Sequence, residues 1–202
     1  MIVQQGGDPC PAAQPSPVRG GDVGAAQVVL VGPPGVGKSS VGQALAARHG
    51  LAFVDADRFL EEREGRAVTE IFASQGEAGF RALELEVTRE LLERDGIVAL
   101  GGGAVTNPAV RDLLSGHQVV WLDMSVEEGV RRIADSTHRP LLRGDVAGKL
   151  ATLIAEREAL YREVAVFRVC TDGLATHEVA AAVSEMLGWP VEQMSPIVEE
   201  NR

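Results

Sequence analysis

Gly32-Pro33-Pro34-Gly35-Val36-Gly37-Lys38-Ser39 reads G-x-x-x-x-G-K-S, and it lies between the apolar run Val28-Val29-Leu30-Val31 and a helical stretch over 40–49. A strand before this spacing and a helix after it make a phosphate-binding loop. The glycines let successive backbone N–H groups turn inward around an anion, and the helix that follows aims its positive end at the same charge. Gly35, Val36, Gly37, Lys38, Ser39 and Ser40 therefore form the expected cradle for the phosphates of a nucleotide. In this motif the lysine reaches the outer phosphates and the hydroxyl ligates Mg²⁺, which assigns those tasks to Lys38 and Ser39. A glycine-rich turn without a ligand is the bland alternative, and the flanking strand and helix count against it.

Composition bounds the partners. At 202 residues the chain holds one α/β domain with a full core, whereas two domains would each be small. Apolar residues make up 45% and aromatics only 4%, so the core is expected from Val, Leu, Ile and Ala. A net charge of −10 argues against nucleic acid or an anionic membrane as partner, because both demand a basic face. Small anions stay open to it wherever arginines converge. Cys10 and Cys170 fall in a tail and an expected strand, with neither disulfide nor metal spacing, and a reducing cytoplasm fits that pattern. No basic start or apolar segment precedes Gln27, and no apolar run reaches membrane-spanning length, so neither a secretory signal nor an anchor is expected.

Residues 1–26 hold Pro9, Pro11, Pro15 and Pro17 among glycines and small polar residues, a composition that buries too little surface to order itself. They read as a disordered extension. Residues 189–202, with Pro190, Pro196 and several acids, read as a second tail, which leaves 27–188 as the domain. Inside it, short apolar runs at 27–31, 51–55, 96–100, 118–122 and 166–170 predict five strands of the kind buried in a parallel sheet. Asn107-Pro108 predicts a capped helix start, Ser125 with Glu128 a capping box, and Gly50, Gly116 and Gly188 helix ends. The fold class is then α/β: a three-layer sandwich around a five-stranded parallel sheet, with ligands at the carboxyl ends of the strands. Gly32, Asp55, Gly101 and Asp123 mark those ends.

Read in order, the strand ends and the segments after them give the phosphate loop, Asp55-Ala56-Asp57, then Thr69-Glu70-Ile71-Phe72-Ala73 with Gly76-Glu77 and Phe80-Arg81-Ala82-Leu83-Glu84, then Gly101-Gly102-Gly103, then Arg139-Pro140-Leu141-Leu142. The set resembles the shikimate kinases, within the nucleoside monophosphate kinase-like P-loop fold, over residues 27–187. A phosphate loop alone is shared by many NTPases; the other four motifs in this order are what make the likeness specific. The resemblance implies a P-loop kinase fold with a mobile lid. It also implies transfer of the γ-phosphoryl group of ATP to the 3-hydroxyl of shikimate, with Mg²⁺, in aromatic amino-acid biosynthesis, by a cytoplasmic monomer.

Residue roles follow from the same likeness, each beside a plainer reading. Asp55 and Asp57 stand two apart, so in extended geometry their carboxylates point the same way, toward the phosphate loop. By resemblance Asp55 helps to hold Mg²⁺ and Asp57 binds the attacking hydroxyl; capping of a helix over 58–64 is the structural alternative for either. Asp123 ends an apolar run as a metal-side carboxylate does. The family's sheet order puts the glycine-ended strand 96–100 beside the phosphate-loop strand, which makes Asp123 structural and gives the metal role to Asp55.

On an expected helix over 77–94, Phe80, Leu83, Val87 and Leu91 form the core stripe, with Arg81, Glu84 and Thr88 running alongside. Glu84 can pair with Arg81 on the surface, or fix its guanidinium so that it forks onto a carboxylate. By resemblance Arg81 and Arg162 bind the shikimate carboxylate, while Phe72 and Phe80 line the ring pocket; for Arg162 the alternative is a solvated pair with Glu158. Gly101, Gly102 and Gly103 let backbone approach a ligand without a Cβ in the way, and the likeness sets the Gly102 N–H against substrate. It makes 137–146 the lid, with Gly144 as hinge and Arg139 neutralising charge on the transferring phosphoryl group. It also places Arg132 on adenine, although Glu128 four residues earlier is well placed for a helix salt bridge.

Two departures bear on the nucleotide end: Cys170 stands where relatives often carry a carboxylate, and Thr171-Asp172-Gly173 lacks an arginine that some place near adenine. A kinase of gluconate or another small polyol is the runner-up, disfavoured by the arginine pair with the triple glycine. A nucleotide-binding pseudokinase is the non-catalytic alternative.

Overall fold

Residues 28–31 have almost no exposed surface, because the strand they belong to is the centre of a sheet covered on both faces. The computed structural model describes residues 26–135 and 145–190. Nearly all of the two expected tails and most of the expected lid, with Arg139 and Gly144, lie outside the described residues.

In chain order the elements are β1 (Ala26–Val31), α1 (Lys38–His49), β2 (Phe53–Asp55), α2 (Ala56–Glu64), α3 (Val68–Leu92), β3 (Gly96–Ala99), α4 (Pro108–Leu113), β4 (Val119–Asp123), α5 (Val126–Asp135), α6 (Val146–Val164), β5 (Phe167–Cys170) and α7 (Thr176–Met186). The five strands pair in parallel in the order β2-β3-β1-β4-β5. Successive residues of a strand face opposite layers. Val29, Val31, Val98 and Trp121 accordingly pack with α2, α3 and α4 on one face, while Val28, Leu30, Ile97 and Val120 pack with α1 and α7 on the other. The core is mainly aliphatic, as composition implies, but its two largest buried side chains are Trp121 and the chain's single tyrosine, Tyr161, stacked at 5.8 Å.

The expected caps form with one change. Asn107 accepts from the Ala109 N–H, and Gly50 and Gly188 take positive φ past their helices. Ser125 accepts from the Glu128 N–H, but the box is half built: Glu128 turns to Arg131 and Arg132, and the Ser125 N–H goes to Asp172 instead. Trp189, the first residue of the expected tail, sets its ring edge-on to His49 at 4.8 Å.

Candidate active site

The phosphate loop is built by close approach. Gly32 has φ 145°, and a Cβ there would fall 2.2 Å from the Leu122 carbonyl oxygen, so β1 can turn beside β4 only with glycine. Gly37, at φ 100°, precedes α1 with no side chain capping the helix, which leaves the positive helix end facing the loop. Lys38 Nζ donates to the carbonyls of Gly32 and Pro33 at 2.9 and 3.1 Å, spanning the loop from within.

The loop lines a cleft of about 1130 Å³ that Asp55, Asp57 and Gly102 also line. Asp55 accepts from the Ser39 hydroxyl and also caps α2, taking the N–H groups of Asp57 and Arg58 at 3.1 and 3.3 Å. It is thus the cap of α2, and it lies against the hydroxyl that the phosphate-loop motif assigns to Mg²⁺. The extended geometry expected of the pair does not persist, because α2 begins at Ala56; the two carboxylates stay close enough to repel. Burial, with Asp55 next, pushes the Asp57 carboxyl above its usual range, while Lys38 and Arg81 pull it down. Asp57 opens onto the cleft, so water offsets part of that burial.

Ser39 and Asp55 are hard oxygen donors converging at the helix start, and such a pair, completed by water and phosphate oxygens, suits Mg²⁺. Asp123 does not compete. Its strand also borders β1, so position alone leaves it eligible; what removes it is burial and its pairing with Arg168, at 2.5 and 3.1 Å.

Three glycines after β3 serve three different neighbours. A Cβ on Gly101 would fall 2.6 Å from Asp57 Oδ1, one on Gly102 2.9 Å from Pro34 of the phosphate loop, and one on Gly103 2.8 Å from the Arg81 guanidinium. The missing side chains bring these groups onto a single turn. Arg81 donates to Glu84 at 2.7 Å, and Glu84 is 5% exposed; burial raises its carboxyl against the lowering effect of that bond. Glu84 and Thr88 thus occupy the buried face of α3, more deeply than Leu83, which the apolar stripe puts there.

Phe72 and Phe80 stack with centroids 4.4 Å apart. In an unbroken helix eight residues advance about 12 Å. The contact exists because Gly76, at φ 69° and ψ −176°, breaks α3 between them.

Arg162 is not at the site. It pairs with Glu158 and its side chain is 66% exposed. Arg157 is there instead, donating to the Gly102 carbonyl at 2.9 Å, and the Tyr161 hydroxyl donates to the same oxygen at 2.6 Å. The helix explains the correction: Tyr161 lies about 40° around α6 from Arg157, whereas Arg162 lies about 140° away. A sequence signal existed, since Arg157 interrupts the apolar stripe Leu150, Ile154, Tyr161, Val164.

Arg132 reaches the phosphate loop with all three of its nitrogens engaged, on Glu128 at 2.6 Å and on the Val36 and Thr171 carbonyls at 2.8 Å each. Its salt bridge and its place beside the nucleotide loop coexist. Asp172, in the loop noted as lacking arginine, holds the start of α5 through Ser125.

Comparison with known proteins fits this geometry. The family model described as shikimate kinase matches residues 34–188. The chain is 52% identical over 150 residues to a shikimate kinase of Mycobacterium avium, covering 73% of this chain and 85% of that protein. It is 45% identical over 174 residues to one of Mycobacterium ulcerans, covering 85% and 95%. Among solved structures it resembles shikimate kinase from Acinetobacter baumannii in complex with shikimate, with TM-score 0.74 and 36% identity over 83% of this chain and 95% of that one.

Proposed function

The chain belongs to the shikimate kinase family and is an ATP- and Mg²⁺-dependent kinase that phosphorylates the 3-hydroxyl of shikimate; from that premise we propose how its own residues divide the work. The polyol kinase and pseudokinase alternatives fall away with the family assignment. The observation that carries the proposal is the glycine turn, onto which Asp57, Pro34 and Arg81 close at once, joining the acceptor side to the phosphate loop.

Asp57 takes the hydrogen bond of the attacking hydroxyl. The substrate oxygen bonds to the γ-phosphorus as the bond from phosphorus to the β,γ-bridging oxygen breaks, and the hydroxyl proton passes to the Asp57 carboxylate and on to solvent. Lys38 leaves its loop carbonyls for the phosphate oxygens, and the N–H groups of Gly35 to Ser40 hold the rest. Ser39 and Asp55 would hold Mg²⁺, and the bound ion would supply screening of phosphate charge. Arg81, fixed by Glu84, binds the shikimate carboxylate together with Arg157, which replaces Arg162 in that role. Phe72 and Phe80 face the ring. Arg132 meets the adenine with the plane of its guanidinium, and Arg139, outside the described residues, neutralises the transferring group. The free thiol of Cys170 is in keeping with a reducing cytoplasm. Phe72 and Leu174 are the exposed large apolar residues among those described, and with Phe72 spoken for by the site we take the enzyme to be a monomer.

Asp57→Asn tests the reading. It should lower kcat by about 10²- to 10⁴-fold while ATP affinity stays within a few-fold. The wild-type acid limb should fall at a pH above the ordinary carboxylate value of 3.8, since the raised carboxyl protonates early. The sign for stability is opposite to that for activity: the folded state binds this proton more tightly than the unfolded state, so the ionised form costs stability above the folded pKa. Asp57→Asn should therefore melt higher than wild type at pH 7, with the gain shrinking in acid. A fully active Asp57→Asn ends the assignment.

A further inference from the structure

Three consecutive glycines have the widest backbone freedom of any tripeptide, yet the acceptor site needs the middle one held in one orientation. A glycine is fixed when the peptide planes on both sides of it are fixed, because each plane is rigid and only φ and ψ lie between them. The plane before Gly102 is anchored by the Gly101 carbonyl, which accepts from the Ala104 N–H at 3.0 Å. The plane after it is anchored by the Gly102 carbonyl, which accepts from Tyr161 and Arg157.

These two donors are not equivalent. Arg157 is a cation that the carboxylate reading sends to substrate, and the present inference rests on that reading. Tyr161 has no such second task. Its ring is 1% exposed and stacks on Trp121, whose ring carries the Arg168 guanidinium at 4.3 Å, and Arg168 is in turn held by Asp123. The hydroxyl stays a donor throughout the working range of pH, since burial pushes it up to about 12.

We propose that Tyr161 is a positioning residue for the acceptor substrate: its hydroxyl keeps the Gly102 carbonyl in place when Arg157 leaves it for the shikimate carboxylate. Without it, every binding event strips the carbonyl of its remaining donor, and the glycine turn relaxes as substrate arrives. The phenol thus frees Arg157 to bind while the turn that packs Asp57, Pro34 and Arg81 stays fixed.

Tyr161→Phe removes the hydroxyl and keeps the ring stack. Steady-state kinetics should show the shikimate KM raised about tenfold, equivalent to ~1.4 kcal/mol, with the ATP KM within twofold of wild type. A merely structural tyrosine would not move one KM and spare the other. Should that variant misfold by thermal melt, Tyr161→Met fills a similar space and is read the same way. A shikimate KM within twofold of wild type in a folded variant overturns the inference, and so does an equal rise in both KM values. Arg157→Ala separates this from the reading beneath it: unchanged shikimate KM there removes the carboxylate role of Arg157, whereas a raised value beside an unaffected Tyr161→Phe removes Tyr161 alone.

Discussion

The nucleotide end and the acceptor end of this cleft are built in opposite ways. Among the described residues, and apart from Asp55, the proposed phosphate-binding groups come from eleven consecutive residues, Leu30 to Ser40, in which strand, turn and helix start follow without a break. The proposed acceptor groups come from four places: Asp57 at the start of α2, Phe72, Phe80 and Arg81 on either side of the break in α3, the glycines after β3, and Arg157 on α6. A contiguous motif carries its geometry with it. A dispersed one depends on which face each helix turns inward, and that is decided by packing.

The largest effect should come from the contiguous end. Lys38→Met removes the cation that spans the phosphate loop, and kcat/KM should fall more than a hundredfold, or ~3 kcal/mol, with the melt nearly unchanged. A folded variant retaining over a tenth of wild-type activity would show that the loop does not work as its sequence says.

That asymmetry also sets what could be read beforehand. The five strands, their parallel pairing and the turn at Gly32 were legible because burial on both faces leaves near-continuous apolar runs and because the phosphate-loop motif demands glycine there, where Leu122 comes close. Arg81 with Glu84 was legible from i, i+3 spacing within one helix. Arg162 was misassigned because Leu160-Tyr161-Arg162 by itself gives no rotational phase; the longer stripe Leu150, Ile154, Tyr161, Val164 gives it, and it places Tyr161 inward and Arg162 in water. Asp172 was missed since its partner, the Ser125 N–H, is 47 residues away and was expected to be taken by Glu128. The break at Gly76 was legible in part: the helix expected over 77–94 starts just after it, and the Phe72–Phe80 stack is what the turn adds.

A smaller effect sharpens the boundary between the two ends. The Glu128 carboxyl is held down to about 2 by hydrogen bonds from Arg131 first and Arg132 next, against the cost of burial. Its folded value lies below the unfolded 4.5, so the stability it adds is complete above about pH 5 and is lost as pH falls toward 2. Glu128→Gln should cost ~1 kcal/mol at pH 7, read as a drop of a few degrees in Tm. The difference should close in acid, and the ATP KM should rise only a few-fold, because Arg132 keeps its two carbonyl partners. A gap that persists unchanged at pH 3 would mean that the carboxylate is not what stabilises this corner.

The central claim is that a carboxylate clamp made of Arg81 and Arg157 defines the acceptor end. It is tested most directly by kcat/KM for shikimate and for its primary amide in wild type, Arg81→Ala, Arg157→Ala and Arg162→Ala. Wild type should strongly prefer the acid. Arg81→Ala and Arg157→Ala should each lose about 2 to 4 kcal/mol toward the acid and much of the discrimination, since each removes a charge-assisted partner. Arg162→Ala, exposed and paired with Glu158, should match wild type. Equal use of amide and acid by wild type, or a preference that collapses in Arg162→Ala and survives in Arg157→Ala, would contradict the account.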